Sequence, residues 1–532
     1  MNKKICALLF IILVSLGLQA QKKKNTIEGD KGRAKELFNN LNFRQALDEY
    51  LLLLADDTSN ITYKHNIAVC YLNTNIDKFK AIPYLEYITS LPKCDLNAWY
   101  DLGRAYQYDY RFEDAKKAYA KFISLSKGKD INYIPAKRQM EMCDNAVALV
   151  KNPLDVSFEA LSNEINSAGA DYNPYVNADE TFLIFTSKRQ GNTGNFLDFD
   201  GLNTADIFFS EFDSKWTKAK RLPPVINTSM SEDCTNLTAD GANIVVHFDA
   251  EKTMSDIIIA DVKGKTFQRP VLPGDMVNSV KDETAACLSP DKQTLIFASN
   301  RDGGIGAKDL YICKRLASGD WTNPINLGNK INTIYDENYP YISPDGEYLY
   351  FCSVGHNSMG GYDIFKSKWN KKDNTFSEPV NIGYPINTPD DERTISFTKS
   401  GRYAYTSAFR KGGAGEMDLY RVIFNNVAPD YVVVKGNISL SDVVNDSTAS
   451  DKMKKLYNIK LTVTNKKTDA IVGNYAPNSI TNNYIIIINP GAYSVHIDAP
   501  GYTSQDIELS IPEREITQKE IIKNITLIKI TH

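Results

Sequence analysis

The chain has 532 residues, of which 42% are hydrophobic and 24% are charged, and its formal net charge is −4. This length exceeds what one hydrophobic core supports, and the composition excludes a disordered or membrane-spanning chain. The excess of acidic residues argues against a general nucleic-acid binder, which needs a basic face to displace counterions. We therefore expect several globular domains and no nucleic-acid partner.

Residues 1–20 have the pattern of an export signal. Two lysines precede the apolar stretch Ile5–Leu18, and Gln19-Ala20-Gln21 offers a cleavage point. The stretch is short for a bilayer span. An uncleaved anchor is the alternative, because Leu18 is large for its place before the cleavage point. No later segment reaches transmembrane length, so the mature chain is expected in the periplasm and not across a membrane.

Seven cysteines follow this segment, at wide spacings and with no C-x-x-C pair. Neither a disulfide scaffold nor a zinc ribbon has this pattern. Most of the cysteines lie in apolar runs such as Ile67–Tyr71, and we interpret them as small buried hydrophobic residues.

Residues 25–150 contain a helical pattern that recurs every 34 to 35 residues. An alanine lies early in each amphipathic segment: Ala46, Ala81 and Ala115. The segment Trp99–Tyr106 matches W-x2-L-G-x2-Y, in which a small residue lets two helices approach closely. This segment resembles the tetratricopeptide repeat, which implies an α-helical array of three repeats with a capping helix over 131–150. A generic helical bundle is the alternative.

Residues 151–428 carry the clearest repeat, a strand, a tight turn and a second strand in five copies. Each copy begins with an acidic residue: Asp171, Glu232, Glu283, Glu337 and Glu392. Each then reaches an aspartate that opens another strand: Asp206, Asp256, Asp309, Asp363 and Asp418. Four copies close with a tag of the type Ile-Asn-Thr. Four short strands in a unit of about 50 residues are typical of a β-propeller blade.

A propeller ring must also close. Residues 158–167 resemble the closing tag but precede the first unit. We therefore predict that this N-terminal piece completes the last blade, which gives five blades. Six is the alternative, if a divergent blade lies within 151–170 or within the insertion Gln190–Thr204. Phe196 and Phe199 make that insertion a candidate contact surface.

Two motifs in one unit carry a family resemblance. They are Ser343-Pro344-Asp345-Gly346 and Gly360-Gly361-Tyr362-Asp363-Ile364-Phe365. These residues resemble the WD40-like (PD40) repeats of TolB-like β-propellers, which implies an exported propeller.

Residues 429–532 change to alternating strands with a hairpin turn at Asn489–Ala492, a pattern that predicts a small β-sandwich. Gly491-Ala492-Tyr493 and Ala499–Tyr502 resemble the carboxypeptidase regulatory-like domain. That resemblance implies a spacer or an adhesive surface.

The repeated carboxylates invite a catalytic or metal-binding interpretation, which we reject. A functional site on a ring breaks the repeat, whereas these acids follow it. The sequence has no G-x-S-x-G elbow and no H-E-x-x-H motif, and His247 and His496 alternate within strands as structural histidines do. We expect no enzyme, no cofactor, and no catalytic, cofactor-binding or metal-binding residues. Glycan hydrolysis by a carboxylate pair is the enzymatic alternative.

The order of export signal, helical array, PD40 propeller and sandwich resembles the PorE-type components of the type IX secretion system. Those proteins continue into an OmpA-like domain, whereas this chain stops at His532, so no peptidoglycan anchor is expected. The resemblance implies a non-enzymatic periplasmic scaffold associated with the outer membrane. Its partners would be envelope or secretion proteins, in type IX secretion or gliding motility. A carbohydrate- or peptide-capturing protein is the alternative.

Overall fold

A computed structural model describes residues 29–127, 129–249, 255–441, 458–515 and 519–530. The predicted export signal lies outside the described residues. The chain divides into two compact units. The first extends to Val147 and also includes Leu197–Asn203, and the second comprises Ala148–Phe196 and the chain from Thr204 onward.

The first unit is helical. Its helices are α1 (Lys31–Asn39), α2 (Phe43–Asp56), α3 (Ile61–Leu72), α4 (Ala81–Thr89), α5 (Asn97–Tyr108), α6 (Phe112–Ser126) and α7 (Ala136–Lys151), with a short 3-10 turn at Lys78–Lys80. Asp30, Asn42 and Asn60 cap the first three helices by accepting hydrogen bonds from backbone N–H groups of the first turn. Gly103 of α5 lies against the buried ring of Tyr119 on α6, so these two helices pack closely.

The predicted fold class is wrong. We predicted an α-helical tetratricopeptide array followed by a five- or six-bladed propeller and a β-sandwich. The described chain is instead mostly β, with many small antiparallel sheets and seven helices of 9 to 16 residues in its described part. The W-x2-L-G-x2-Y motif fixes the close approach of α5 and α6 alone. Helical periodicity elsewhere predicts helices and does not establish a repeat array.

The second unit begins with β1 (Val156–Ala160) and continues into small antiparallel sheets. Sheet 1 contains β2 (Asp171–Val176), β3 (Phe182–Ser187), β4 (Asp206–Asp213), β5 (Lys215–Trp216) and β6 (Lys220–Arg221). Sheet 2 contains β7 (Glu232–Leu237), β8 (Asn243–Asp249), β9 (Ser255–Lys263) and β10 (Thr266–Phe267). Sheet 3 contains β11 (Glu283–Leu288), β12 (Thr294–Ser299), β13 (Asp309–Lys314) and β14 (Ile325–Asn326).

Two more sheets complete the series. Sheet 4 contains β15 (Glu337–Ile342), β16 (Tyr348–Ser353), β17 (Asp363–Asn370), β18 (Thr375–Phe376) and β19 (Val380–Asn381). Sheet 5 contains β20 (Ile395–Phe397), β21 (Tyr403–Ala408), β22 (Asp418–Phe424) and β1. The predicted closure is confirmed, because β1 pairs antiparallel with β22 from Val156↔Phe424 to Ala160↔Tyr420.

The first strands of the five sheets contact one another in a closed cycle. The linking hydrogen bonds are Tyr172–Asp233 (2.7 Å), Asn236–Leu288 (3.3 Å), Thr284–Asn338 (3.1 Å), Tyr341–Phe397 (3.0 Å) and Val176–Ser396 (3.0 Å). A cycle of this kind surrounds an axis, and the arrangement is therefore propeller-like.

The tight turn of the repeat has a hydrogen-bonded cause. In sheet 4 the Ser343 hydroxyl donates to Asp345 at 2.5 Å, and Asp345 also accepts from the backbone N–H of Glu347 at 2.8 Å. Gly346 follows with φ +71°, a left-handed conformation that favours glycine. This combination explains why Ser-Pro-Asp-Gly lies between the first two strands.

The C-terminal residues form two further four-stranded sheets with a common hydrophobic core. Their strands are β23 (Val432–Leu440), β24 (Lys460–Asn465), β25 (Ile471–Tyr475), β26 (Asn483–Ile488), β27 (Gly491–Asp498), β28 (Gln505–Ile511), β29 (Glu520–Ile522) and β30 (Ile525–Leu527). Burial alternates along β26, with Tyr484, Ile486 and Ile488 inside. This alternation follows from the two-residue period of a strand.

The cysteine interpretation is confirmed. All seven cysteines of the described residues are free, and six of them are buried. Burial raises the pKa of Cys70 and of Cys143 to about 12, as expected for a thiol in apolar surroundings. Within the described ranges, no helix combines the length and the apolarity that a membrane crossing requires.

Candidate functional site

The repeated acids join neighbouring sheets. In each copy the carboxylate accepts hydrogen bonds from the Ser or Thr of the tag that precedes it: Ser167–Asp171, Thr228–Glu232, Ser279–Glu283, Thr333–Glu337 and Thr388–Glu392. In sheet 4 the hydroxyl and the backbone N–H of Thr333 both donate to Glu337, at 2.7 and 2.8 Å. Each repeated acid thus makes a structural contact with the tag before it.

The tag asparagine makes the complementary contact with the preceding sheet. Asn332 accepts from the backbone N–H of Leu310 at 2.8 Å and donates to the carbonyl of the same residue at 3.0 Å. Asn166 makes the same pair of bonds with Leu419, at 2.9 and 3.2 Å, and thereby closes the ring. Each tag thus binds the sheet behind it with asparagine and the sheet ahead with its hydroxyl.

The raised pKa values of two of these acids predict that the stability of the protein depends on pH. Burial raises the pKa of both Glu232 and Glu337 to about 7, from an unfolded value of about 4.3. The folded state therefore binds more protons than the unfolded state between these values. Each carboxyl contributes stability that is complete below about pH 4.3 and falls by about 1.4 kcal/mol per pH unit as the pH rises towards 7.

The measurement is denaturant unfolding of the wild type and of the double variant Glu232→Gln/Glu337→Gln at pH 5, 6, 7 and 8. We expect the double variant to lose stability less steeply with pH, because a glutamine does not titrate. Glu347→Gln, on an exposed turn of sheet 4, is the control and should keep the wild-type slope. Equal slopes in the wild type and the double variant would contradict the raised pKa values.

The residue after each repeated acid does not follow the repeat. These residues, which we name the axial ring, are Tyr172, Asp233, Thr284, Asn338 and Arg393. The first four come second in the first strands of sheets 1 to 4, and Arg393 lies two residues before β20 of sheet 5, so all five lie at the same end of the axis. Within the ring, the Tyr172 hydroxyl donates to Asp233 at 2.7 Å and Thr284 donates to Asn338 at 3.1 Å. Five different side chains at one repeat position mark this end of the axis as the candidate site.

Asp233 forms the acidic side of the axial ring. Its carboxylate lies 3.8 Å from Nδ1 of His247, and its side chain is 23% exposed. Burial alone would raise the pKa of Asp233. The interaction with His247, the hydrogen bond from Tyr172 and the positive charge of Lys188 outweigh burial, and the pKa lies below its usual value. Asp233 therefore presents a negative charge at neutral pH.

Arg393 forms the basic side. Its side chain is 46% exposed, and it donates one hydrogen bond within the described residues, to Asp391 at 3.3 Å. A guanidinium has five N–H donors, so most of the donors of Arg393 point to solvent or to a ligand. The phenol of Tyr339 lies close enough to interact with both Arg393 and Asp233. The ring thus presents opposite charges on either side of aromatic residues.

The backbone under the ring is strained at two corresponding positions. Asn173 has φ +50° and Tyr339 has φ +45°, and each precedes a proline inside a bulged first strand. A left-handed conformation is costly for a bulky residue such as tyrosine, and such strain concentrates at functional sites.

Two buried polar atoms further along β2 have no hydrogen-bond partner within the described ranges, the amide nitrogen of Asn173 and the hydroxyl of Tyr175. Their residues are 1% and 0% exposed. Buried polar groups normally have partners. This part of the axis would therefore stabilise a polar group that entered it.

The sequence predicted no catalytic, cofactor-binding or metal-binding residues and a contact surface only at Phe196 and Phe199, so the axial ring was missed. The signal was present, because the five acids align and the residue after each of them differs. His247, interpreted as structural, lies beside Asp233 of the ring. The described part of the chain contains no group of three His, Cys, Asp or Glu residues placed to hold a metal ion.

A separate cleft of about 730 Å³ lies on sheet 4, away from the ring. Its walls include Lys368, Lys371 and Lys372, above the stacked rings of Trp369 and Phe376. Trp369 is 5% exposed and its indole nitrogen is sealed from solvent, so the cleft offers lysines at its edge without a polar floor.

No protein-family model and no curated protein matches the chain. Among solved structures, the tricorn protease is similar at 13% identity and a TM-score of 0.31, over 66% of this chain and 32% of that one. The endo-arabinase of Bacteroides thetaiotaomicron is 12% identical with a TM-score of 0.32, over 50% and 97%. A Dyadobacter fermentans protein of unknown function is 10% identical with a TM-score of 0.32, over 66% and 98%. Such values carry no argument about activity.

Proposed function

We propose that this chain is a non-enzymatic binding protein of the cell envelope, a scaffold that holds a partner at the axial ring. The observation that supports this proposal is the contrast between two adjacent positions. The carboxylates of the repeated acids are already used in hydrogen bonds that join the sheets. The residue after each acid differs from sheet to sheet and carries hydrogen-bonding groups. The settings that we propose are type IX secretion and gliding motility, with envelope proteins as partners.

The electrostatics favour binding over hydrolysis. A glycosidase of the two-carboxylate type needs one carboxyl with a raised pKa to act as general acid. Asp233, the acid of the ring, has a lowered pKa. Glu232, its neighbour with a raised pKa, is 1% exposed and accepts hydrogen bonds from Thr228. Neither residue suits proton donation to a substrate.

A ligand-capturing protein is the second candidate. Aromatic, carboxylate and amide side chains lie together in the ring, and these groups stack on sugars and hydrogen-bond to hydroxyls. The same groups suit an extended peptide.

The test is proximity cross-linking of the tagged full chain in its native envelope, followed by mass spectrometry. We expect cross-links to envelope or secretion proteins in the wild type, and at least a tenfold loss in Asp233→Ala/Arg393→Ala. The control is Lys466→Ala/Glu508→Ala, which removes an exposed pair (2.7 Å) from the C-terminal sheets and should keep the cross-links. Unchanged cross-links in the axial variant would place the partner elsewhere. An absence of cross-links together with saturable binding on a glycan array would favour sugar capture.

A further inference from the structure

We infer that the axial ring takes a carboxylate group of its ligand, with the guanidinium of Arg393 as the anchor. This inference rests on the proposed function of the ring as a binding site. It specifies the chemistry that the site recognises, whether the carboxylate belongs to an acidic sugar or to a peptide terminus.

The geometry of Arg393 carries the inference. A single hydrogen bond of 3.3 Å to Asp391 holds the guanidinium, whose side chain is 46% exposed, so its remaining donors are available to a ligand. Asp391 is itself held at its other oxygen by the backbone N–H of Tyr362 at 3.0 Å. Asp391 thus fixes the position of Arg393 while accepting only one of its hydrogen bonds. A planar guanidinium with free edges matches a carboxylate in two parallel hydrogen bonds.

The surrounding charges select a singly charged anion. Asp391 lies next to Arg393, and Asp233 carries a negative charge across the ring. Both acids would repel a phosphate of nearly two negative charges more strongly than a carboxylate, which carries one. The phenol of Tyr339, which interacts with both Arg393 and the side chain of Asn173, is a polar group near the anchor that could meet the ligand.

Asp233 extends the specificity to the rest of the ligand. Its carboxylate is 23% exposed, accepts from the Tyr172 hydroxyl, lies beside His247 and is opposite to the anchor in charge. A carboxylate bound at Arg393 would therefore present its neighbouring hydroxyl or amide donors to Asp233. An aliphatic acid without such donors would gain the anchor and lose this second contact.

The experiment is ligand-observed NMR on the full chain with five probes: D-galacturonate, D-galactose, N-acetyl-glycyl-glycine, its C-terminal amide, and inorganic phosphate. We expect binding of at least one of the two carboxylates, and at least tenfold weaker binding of its neutral partner. Galacturonate alone would identify an acidic sugar, and the peptide acid alone a peptide terminus. Phosphate binding as tight as carboxylate binding, or no binding of either carboxylate, would overturn the inference.

Two variants assign the effect to the anchor. Arg393→Gln should weaken the carboxylate by at least tenfold, while Arg393→Lys, which keeps the charge and loses the bidentate geometry, should retain part of the affinity. The side chain of Arg393 is 46% exposed, so the thermal unfolding of both variants should match that of the wild type. If Arg393→Gln leaves the probe affinity unchanged while the axial double variant still loses its envelope cross-links, the anchor is wrong and the proposed function stands.

Discussion

Replacing Glu180 with glutamine is expected to lower the free energy of unfolding by about 3 kcal/mol, because the change leaves a buried guanidinium without its main counter-charge. Glu180 is 2% exposed and accepts from Nε and Nη2 of Arg421 at 2.5 and 3.1 Å. It also accepts from the hydroxyl of Tyr405 at 2.8 Å and from the backbone N–H of Glu515 at 2.6 Å. Glu159, at 3.2 Å from Arg421, keeps the loss near this value.

The measurement is urea unfolding of the wild type, Glu180→Gln, Arg421→Met and the double variant. The double variant should lose less stability than the sum of the two single variants, since the pair is removed together. Glu508→Gln is the matched control. Its partner Lys466 is 50% exposed, and the loss should stay below about 1 kcal/mol. A loss of similar size in Glu180→Gln and Glu508→Gln would show that the buried pair contributes no more than a surface pair.

Residues next to this ion pair join the C-terminal sheets to the cycle of five sheets. Arg514 stacks on Phe212 at 3.3 Å, and Glu515 accepts from the hydroxyl of Ser400 at 2.7 Å. Glu180 therefore connects sheet 1, sheet 5 and the segment after β28. Loss of this contact explains why a single substitution is expected to affect a large part of the second unit.

Sequence periodicity predicted the sheets well because their bonds repeat. The tag and the acid make the same contact in every sheet, so alignment of the copies exposes them. The strand-opening aspartate accepts from a backbone N–H of the preceding loop in sheets 1, 3, 4 and 5. Asp309, for example, accepts from the backbone N–H groups of Ile305 and Gly306, which accounts for the Gly-rich loop before β13. Repetition was evidence about structure in the second unit.

Sequence analysis failed where a residue departs from the repeat. Glu180 occupies the turn position that Gly241, Gly346 and Gly401 hold in other sheets, with φ +56°. Nothing in the pattern shows that this glutamate turns back to bind Arg421, which is distant along the chain. The axial ring was missed for the same reason, since its residues share a position and no chemistry.

The helical prediction failed for a different reason. Amphipathic periodicity depends on local contacts and predicts individual helices, whereas an array also requires the same packing between successive helix pairs. Gly103 provides the close packing in one pair. Fold class depends on the proportions of the whole chain, and in its described part strand residues outnumber helical residues.

Gly415→Ala is expected to lower the free energy of unfolding by about 3 kcal/mol and to open the place where the ring closes. A β-carbon at Gly415 would lie 2.2 Å from the carbonyl oxygen of Gly169 and 2.3 Å from that of Ser167. Both neighbours are backbone atoms, so no side-chain rotation relieves the clash. The N-terminal piece must move away from β22, and hydrogen exchange should become faster from β1 to β2.

Two other glycine substitutions distinguish a specific effect on ring closure from a general loss of stability. Gly306→Ala makes the equivalent clash with the carbonyl of Tyr335, at 2.1 Å, but between two sheets that are continuous in the chain. Gly306→Ala should lower the free energy of unfolding by a similar amount. It should leave β1 protected from hydrogen exchange, because the two sheets that it separates remain covalently joined. Gly412→Ala has no atom within 4 Å of the added carbon and bears only the cost of its φ of +89°. Faster exchange of β1 in Gly306→Ala as well would mean that the ring opens as one unit, with no weak point at its closure.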